Sequence, residues 1–151
     1  MISKDKLNHM MGVARKCYAI SNQFTTDENE RMNYFLMGFL HDVGYENGKA
    51  KGHAKRGYDD MLNFGCADNS YLQAIKNHGT YLPENKVTPE YLALVYSDLT
   101  VDHLGNDVTV EERLNSIKER YGLLSEQYQN ALLQAKLLKK RGLIKWISEK
   151  L

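Results

Sequence analysis

Apolar side chains recur three or four positions apart along nearly the whole chain, and nowhere alternate convincingly with polar ones as a strand requires. Leu7, Met10, Val13, Ala14, Cys17 and Tyr18 form a first helical stripe, with Ser3 placed to cap its start. Thr26, Asp27 and Glu28 open a second helix, the acids suiting the positive end of its dipole. That helix is predicted to turn Met32, Phe35, Leu36, Phe39 and Leu40 inward and to fail near Gly44. After a loop over 45–52, a third helix is expected over roughly 53–64, stopped by Gly65. Asp68 is the expected cap of a fourth, running through Leu72 and Ile75 to His78 and closed by Gly79. Thr88-Pro89-Glu90 combines a cap, a proline at the first helical position and an acid, and starts a fifth helix ending at about Val101. Thr109 opens a sixth that ends at Gly122, and Ser125 a seventh that extends toward Leu151. The pattern predicts an all-α bundle of about six or seven helices with short connections, in one domain over residues 1–151.

Composition narrows the classes of function. A chain of 151 residues can bury a core without disulfides or a structural metal, and a net charge of +1 gives no sign of a nucleic-acid or membrane surface held by bulk electrostatics. Small anions need only a local cluster of cations and stay in play. Cys17 and Cys66 stand alone, without a CxxC, and the N-terminal stretch shows no targeting pattern, which points to reduced thiols in the cytoplasm. The longest apolar run, YFLMGFL, is far shorter than the ~20 residues that cross a bilayer. No GxSxG elbow supports serine-hydrolase chemistry. The basic stretch KLLKKRGLIKW reads as a solvated face near a helix C-terminus. The last helix is the candidate surface for a homodimer.

The candidate chemistry sits with the histidines. His41 and Asp42 are adjacent at the end of the second predicted helix. Inside a helix they would diverge by about 100°, so they reach one ion only from a terminal or irregular turn. Asp98 lies in an otherwise apolar run with Leu94, Val95 and Leu99, where an unpaired carboxylate is costly and a metal partner satisfies it. His9 reads as a ligand or as a core histidine bonded to a backbone carbonyl. His53 and His78 sit at helix termini, where a capping histidine competes with the ligand reading. Asp102 reads as a group orienting a ligand or as a solvated acid, and His103 as a surface residue.

The ordered series His9, His41-Asp42, His53, His78, Asp98 resembles the HD superfamily of metal-dependent phosphohydrolases, through LNHMMGVARKC, FLHDVGY, GHAKRGYDDM, IKNHGTYL and LVYSDLTVD. The likeness covers about residues 7–102, the helical core of that family, and VTVEERLNSIKERYG resembles a tail of its small members. The resemblance implies that His9, His41, Asp42 and Asp98 hold a divalent ion, with His53 and His78 holding a second and Asp42 bridging the two. It implies a water activated for attack on a phosphate ester or anhydride of a nucleotide or other small phosphorylated metabolite. Donor chemistry alone admits Fe, Mn, Co, Ni, Zn or Mg. The ligand order is similar to that of small HD enzymes that split diadenosine polyphosphates. Two positions depart from the family: Tyr45 stands where many members carry a lysine, and Gly79 follows His78 where the cyclic-dinucleotide phosphodiesterases have a second histidine. With Tyr45 in that turn, Lys49, Lys55 and Arg56 become the candidate phosphate-neutralising cations beside Asp42, and Tyr45 and Tyr81 candidates for stacking on a base. A regulatory module that binds a metal or nucleotide without turning it over is the alternative.

Overall fold

A computed structural model describes residues 2–47 and 51–144; Lys49 and the predicted extension of the last helix toward Leu151 lie outside the described residues. The chain forms seven α-helices there: α1 (Lys4–Ile20), α2 (Glu28–Leu40), α3 (His53–Asn63), α4 (Ser70–Asn77), α5 (Pro89–Asp98), α6 (Val110–Tyr121) and α7 (Glu126–Lys140). Short 3-10 turns span Ser21–Gln23, Val43–Asn47 and Glu84–Lys86. Extended backbone pairs only at the isolated bridge Val101–Asp107 among the described residues. None of the described helices is long and apolar enough to cross a membrane.

Caps set the helix starts. Ser3, Asp27, Thr88, Thr109 and Ser125 each accept a hydrogen bond from a backbone N–H in the first turn of the helix that follows. The fourth start differs from expectation. Asn69 caps α4, because the Asp68 carboxylate is already taken, accepting from the Tyr58 hydroxyl at 2.9 Å and the Gln73 amide at 2.9 Å. The fifth helix is shorter than predicted. It stops at Asp98, and Val101 leaves it to pair with Asp107, which puts Asp98 on a helix end.

The core is organised around α5, whose residues Tyr91 to Val95 are all buried. Helices α1, α2, α4 and α7 pack against it. The pair α1–α2 folds back on itself through Gly38, where an added Cβ would lie 2.9 Å from Ala14 Cα, Cys17 Sγ and Val13 O. This contact fixes which face of α2 turns inward. Tyr34, Met37 and Gly38 are buried, whereas Met32 and Leu36 are 44% and 49% exposed and Phe35, Phe39 and Leu40 are half-buried. The predicted inward stripe is therefore rotated. A count of apolar residues favours the 32–36–39 side, but close backbone approach at the glycine decides the packing. Leu7, predicted to be inward on α1, is likewise exposed.

Candidate metal centre

Five helices deliver the histidine and aspartate series to one place, most of them at their ends. His41 and His78 are the C-caps of α2 and α4, Asp98 is the last residue of α5, and His53 is the first of α3. His9 alone comes from a helix interior, on the buried side of α1. Three C-terminal helix ends, each with partial negative charge, therefore meet at the cluster and favour a cation there. His53 is held by Gly44: an added Cβ there would overlap the His53 carbonyl oxygen and come within 2.8 Å of Gly57 N.

Backbone carbonyls fix the imidazole tautomers. His41 Nδ1–H donates to Gly38 O at 2.6 Å, and His78 Nδ1–H donates to Ile75 O at 2.6 Å, the same three-residue return on two helix ends. His9 Nδ1–H donates to Asp102 O at 2.8 Å. A ring nitrogen facing a carbonyl carries the proton, so each neutral ring presents its Nε2 lone pair to the cluster. This is the arrangement by which a backbone carbonyl orients a metal-ligating histidine.

Those lone pairs face carboxylates. His9 Nε2 lies 3.0 Å from Asp98 Oδ1 and 3.5 Å from Asp42 Oδ2. His41 Nε2 lies 3.3 Å from Asp42 Oδ2 and 3.5 Å from Asp98 Oδ1. On the other side of Asp42, Oδ1 is 3.2 Å from His53 Nε2 and 3.4 Å from His78 Nε2, and those two nitrogens are 3.0 Å apart. Asp42 thus divides its oxygens between two histidine pairs. His41 Nε2 is fully buried without a hydrogen-bond partner. Two triads bring one donor atom from each residue within 4.8 Å of the others: His9, His41 and Asp98, and His41, Asp42 and His78.

Such a cluster demands positive charge. Burial works against the His41 imidazolium, but Asp42 and then Asp98 outweigh it and lift its pKa to about 10. Burial also works against the Asp42 and Asp98 carboxylates, yet His41 chiefly, with His53 and His78 at Asp42 and His9 at Asp98, holds both well below the ordinary range. With the rings neutral, the two carboxylates match the charge of one divalent cation. Orphaned Nε2, anchored Nδ1–H groups and anionic oxygens together fit a bound divalent metal, and the cluster is compatible with one.

The cluster floors a cavity of about 410 Å³. Among the described residues its only acidic lining groups are Asp42 and Asp98, while Lys6, Arg113, Arg120 and His103 add cationic or protonatable groups. Of the cations expected from the sequence, Lys55 and Arg56 are among the described residues, and both lie elsewhere. Lys55 pairs with Asp59 at 2.8 Å on the surface, and Arg56 donates to Gly44 O at 3.1 Å and Lys51 O at 2.5 Å; neither lines this cavity. Arg56 instead ties the 43–47 turn to α3. Tyr45 does line the cavity, its ring 4.1 Å from that of His53, whereas Tyr81 packs toward the core. Asp102 orients His9 through its backbone carbonyl, and its carboxylate accepts from the Leu104 and Asn106 N–H groups. His103 is exposed as expected, at the cavity wall.

Three groups at the site escaped the sequence reading. Lys6 lies one turn before His9, a spacing that shares a helix face. Arg113, Ser116, Ile117 and Arg120 form a stripe on α6 that lines the cavity, with the three- and four-residue spacing of a helix face but too few apolar members to be noticed. Gln134 of α7 is buried and donates to His78 O at 2.9 Å and to the Tyr91 hydroxyl at 3.0 Å, tying the second histidine pair to the core. No protein-family model, curated protein or solved structure matches the chain.

Proposed function

We propose that the chain is a metal-dependent phosphohydrolase of the HD type, acting on a nucleotide or other small phosphorylated metabolite. The observation that carries this reading is the junction of two environments in one cavity: anchored imidazoles and two low-pKa carboxylates at the floor, cationic groups on the walls. The floor suits divalent metal and the walls suit an anionic substrate. In this reading His9, His41, Asp42 and Asp98 hold one ion, and His53 and His78 share Asp42 in holding a second. Bound ions supply an activated water and neutralise phosphoryl oxygens.

The protein's own residues do the rest. The carbonyls of Gly38, Ile75 and Asp102 keep His41, His78 and His9 in the donor tautomer, so little reorganisation accompanies ligation. Burial of His9, His41 and Asp42 excludes bulk water and strengthens each charge interaction. Arg120 on the cavity wall offers a planar fork suited to phosphate oxygens. Arg113 is partly committed, donating to Asp98 O at 3.2 Å, and so also steadies the α5 end. The unpaired thiols Cys17 and Cys66 fit a reducing, cytoplasmic setting.

The test is a panel of phosphomonoesters, nucleotides and dinucleoside polyphosphates assayed with Mn²⁺, Fe²⁺, Co²⁺, Ni²⁺, Zn²⁺ or Mg²⁺. Turnover that a chelator abolishes and Asp42→Ala removes is the expected result. Activity that survives in Asp42→Ala without metal refutes the reading. Tight nucleotide binding with no product favours the non-catalytic regulatory module, for which Tyr45 in the 42–45 turn is the motive.

A further inference from the structure

The cation best placed to meet a substrate is on the first turn of α1. Lys6 Nζ lies 3.1 Å from Asp42 Oδ2 and 3.9 Å from the centroid of the Tyr45 ring, and its side chain, 25% exposed, lines the cavity. It is the only lysine lining the cavity among the described residues. We propose that Lys6 is the phosphoryl-binding cation of this site, held in place by the face of Tyr45. The proposal rests on the phosphohydrolase reading and names a residue that neither the histidine series nor the sequence pattern identified.

Three features argue for this role over a simple ion pair. The Asp42 oxygen that Lys6 touches, Oδ2, also faces the His9 and His41 nitrogens at 3.5 and 3.3 Å, so it belongs to the candidate ligand cluster, where a bound cation would compete with the ammonium for it. An ammonium has three donors, and one bond to Asp42 leaves others to be directed toward the cavity. The Tyr45 ring attracts the cation through its face without consuming a hydrogen-bond donor. An anion entering the cavity over Asp42 therefore meets a partly buried, pre-positioned charge next to the ligand cluster. Lys55, one of the lysines expected from the sequence, is bound to Asp59 on the surface.

The experiment compares wild type, Lys6→Met, Lys6→Arg and Tyr45→Leu. Each is loaded with Mn²⁺, analysed for bound metal, and titrated with inorganic phosphate; KM and kcat are measured on a phosphomonoester that wild type hydrolyses. The expected result is unchanged metal content in all four proteins. Phosphate binding weakens about tenfold or more in Lys6→Met, recovers largely in Lys6→Arg and falls between the two in Tyr45→Leu. KM rises in parallel. Phosphate affinity equal to wild type in Lys6→Met, alongside normal wild-type turnover, overturns the role of Lys6 and leaves the phosphohydrolase reading standing. Loss of metal together with phosphate binding in Lys6→Met also overturns it, because Lys6 then serves to position Asp42. A wild type that binds neither Mn²⁺ nor phosphate removes both readings.

Discussion

His41 is the residue on which the site's charge balance turns. In the metal-free protein Asp42 and Asp98 outweigh the effect of burial and raise its pKa from 6.5 to about 10. A histidine raised in the folded state contributes stability that is complete below its unfolded pKa and is lost as pH climbs through the folded one. Asp42 and Asp98, held below 3.8, contribute in the opposite sense: their share is present above the ordinary carboxylate pKa and lost as acid protonates them. The metal-free protein is therefore expected to be most stable between roughly pH 4 and 6.5 and to weaken steadily toward pH 10. Urea midpoints measured across that range in chelator check this; a midpoint that climbs from pH 7 to 10 contradicts it. A divalent ion competes with the His41 proton, so binding at pH 7 should release a proton and weaken as pH falls. Calorimetry in buffers of different ionisation enthalpy reads that release directly. His41, Asp42 and Asp98 stood out by their chemistry and their places near helix ends, while His53 and His78 stood out only through the ordered series; the structure brings these side chains and His9 together. Lys6 was not, because a lysine on the first turn of a helix looks like any solvated charge until Tyr45 and Asp42 are seen beside it.

The caps made helix starts legible: Ser3, Thr88, Thr109 and Ser125 each act through the predicted side chain. Helix faces were harder to read. On α2 the apolar stripe of Met32, Phe35, Leu36 and Phe39 outnumbers the buried set, yet Gly38 sets the contact with α1 and turns Tyr34, Met37 and His41 inward. The same contact sets the spacing of His9 and His41, whose ring centroids are 5.3 Å apart. Gly38→Ala tests this. Alanine gains about 1 kcal/mol in helix propensity over glycine. Overpacking costs about 1–3 kcal/mol, and here two of the three crowded neighbours are backbone atoms, which yield least. The second effect should win, with a lower urea midpoint and reduced metal occupancy. An unchanged or raised midpoint would show that α1 and α2 have room to separate.

Across the whole molecule, the net charge of +1 conceals a strong local separation of charge. The two acids at the cavity floor belong to the cluster, and among the described residues the lysine and arginines lining the walls come from α1 and α6. Helix α6 follows the ligand-bearing residues in the chain and lines the cavity over a site built by α1 to α5. Its arginines could not be assigned from local sequence, because only the tertiary path of α6 and α7 brings them to the cavity. Arg120→Ala is expected to raise KM for a phosphorylated substrate about tenfold with kcat little changed, and to reduce the inhibition of binding by salt. A fall in kcat at unchanged KM would instead make Arg120 part of the reacting centre. Metal binding to the folded state alone should raise the thermal midpoint in proportion to the logarithm of free ion concentration, and a chelator should reverse it.

Everything proposed for the site depends on the His/Asp cluster holding divalent metal. Elemental analysis tests it most directly, on protein stripped by chelator, reconstituted with each candidate ion and freed of excess, alongside Asp42→Ala treated in the same way. About one or two ions are expected per wild-type chain, with a clear loss of bound ion in the variant. Wild-type protein that retains no stoichiometric ion from any of Fe, Mn, Co, Ni, Zn or Mg would contradict it.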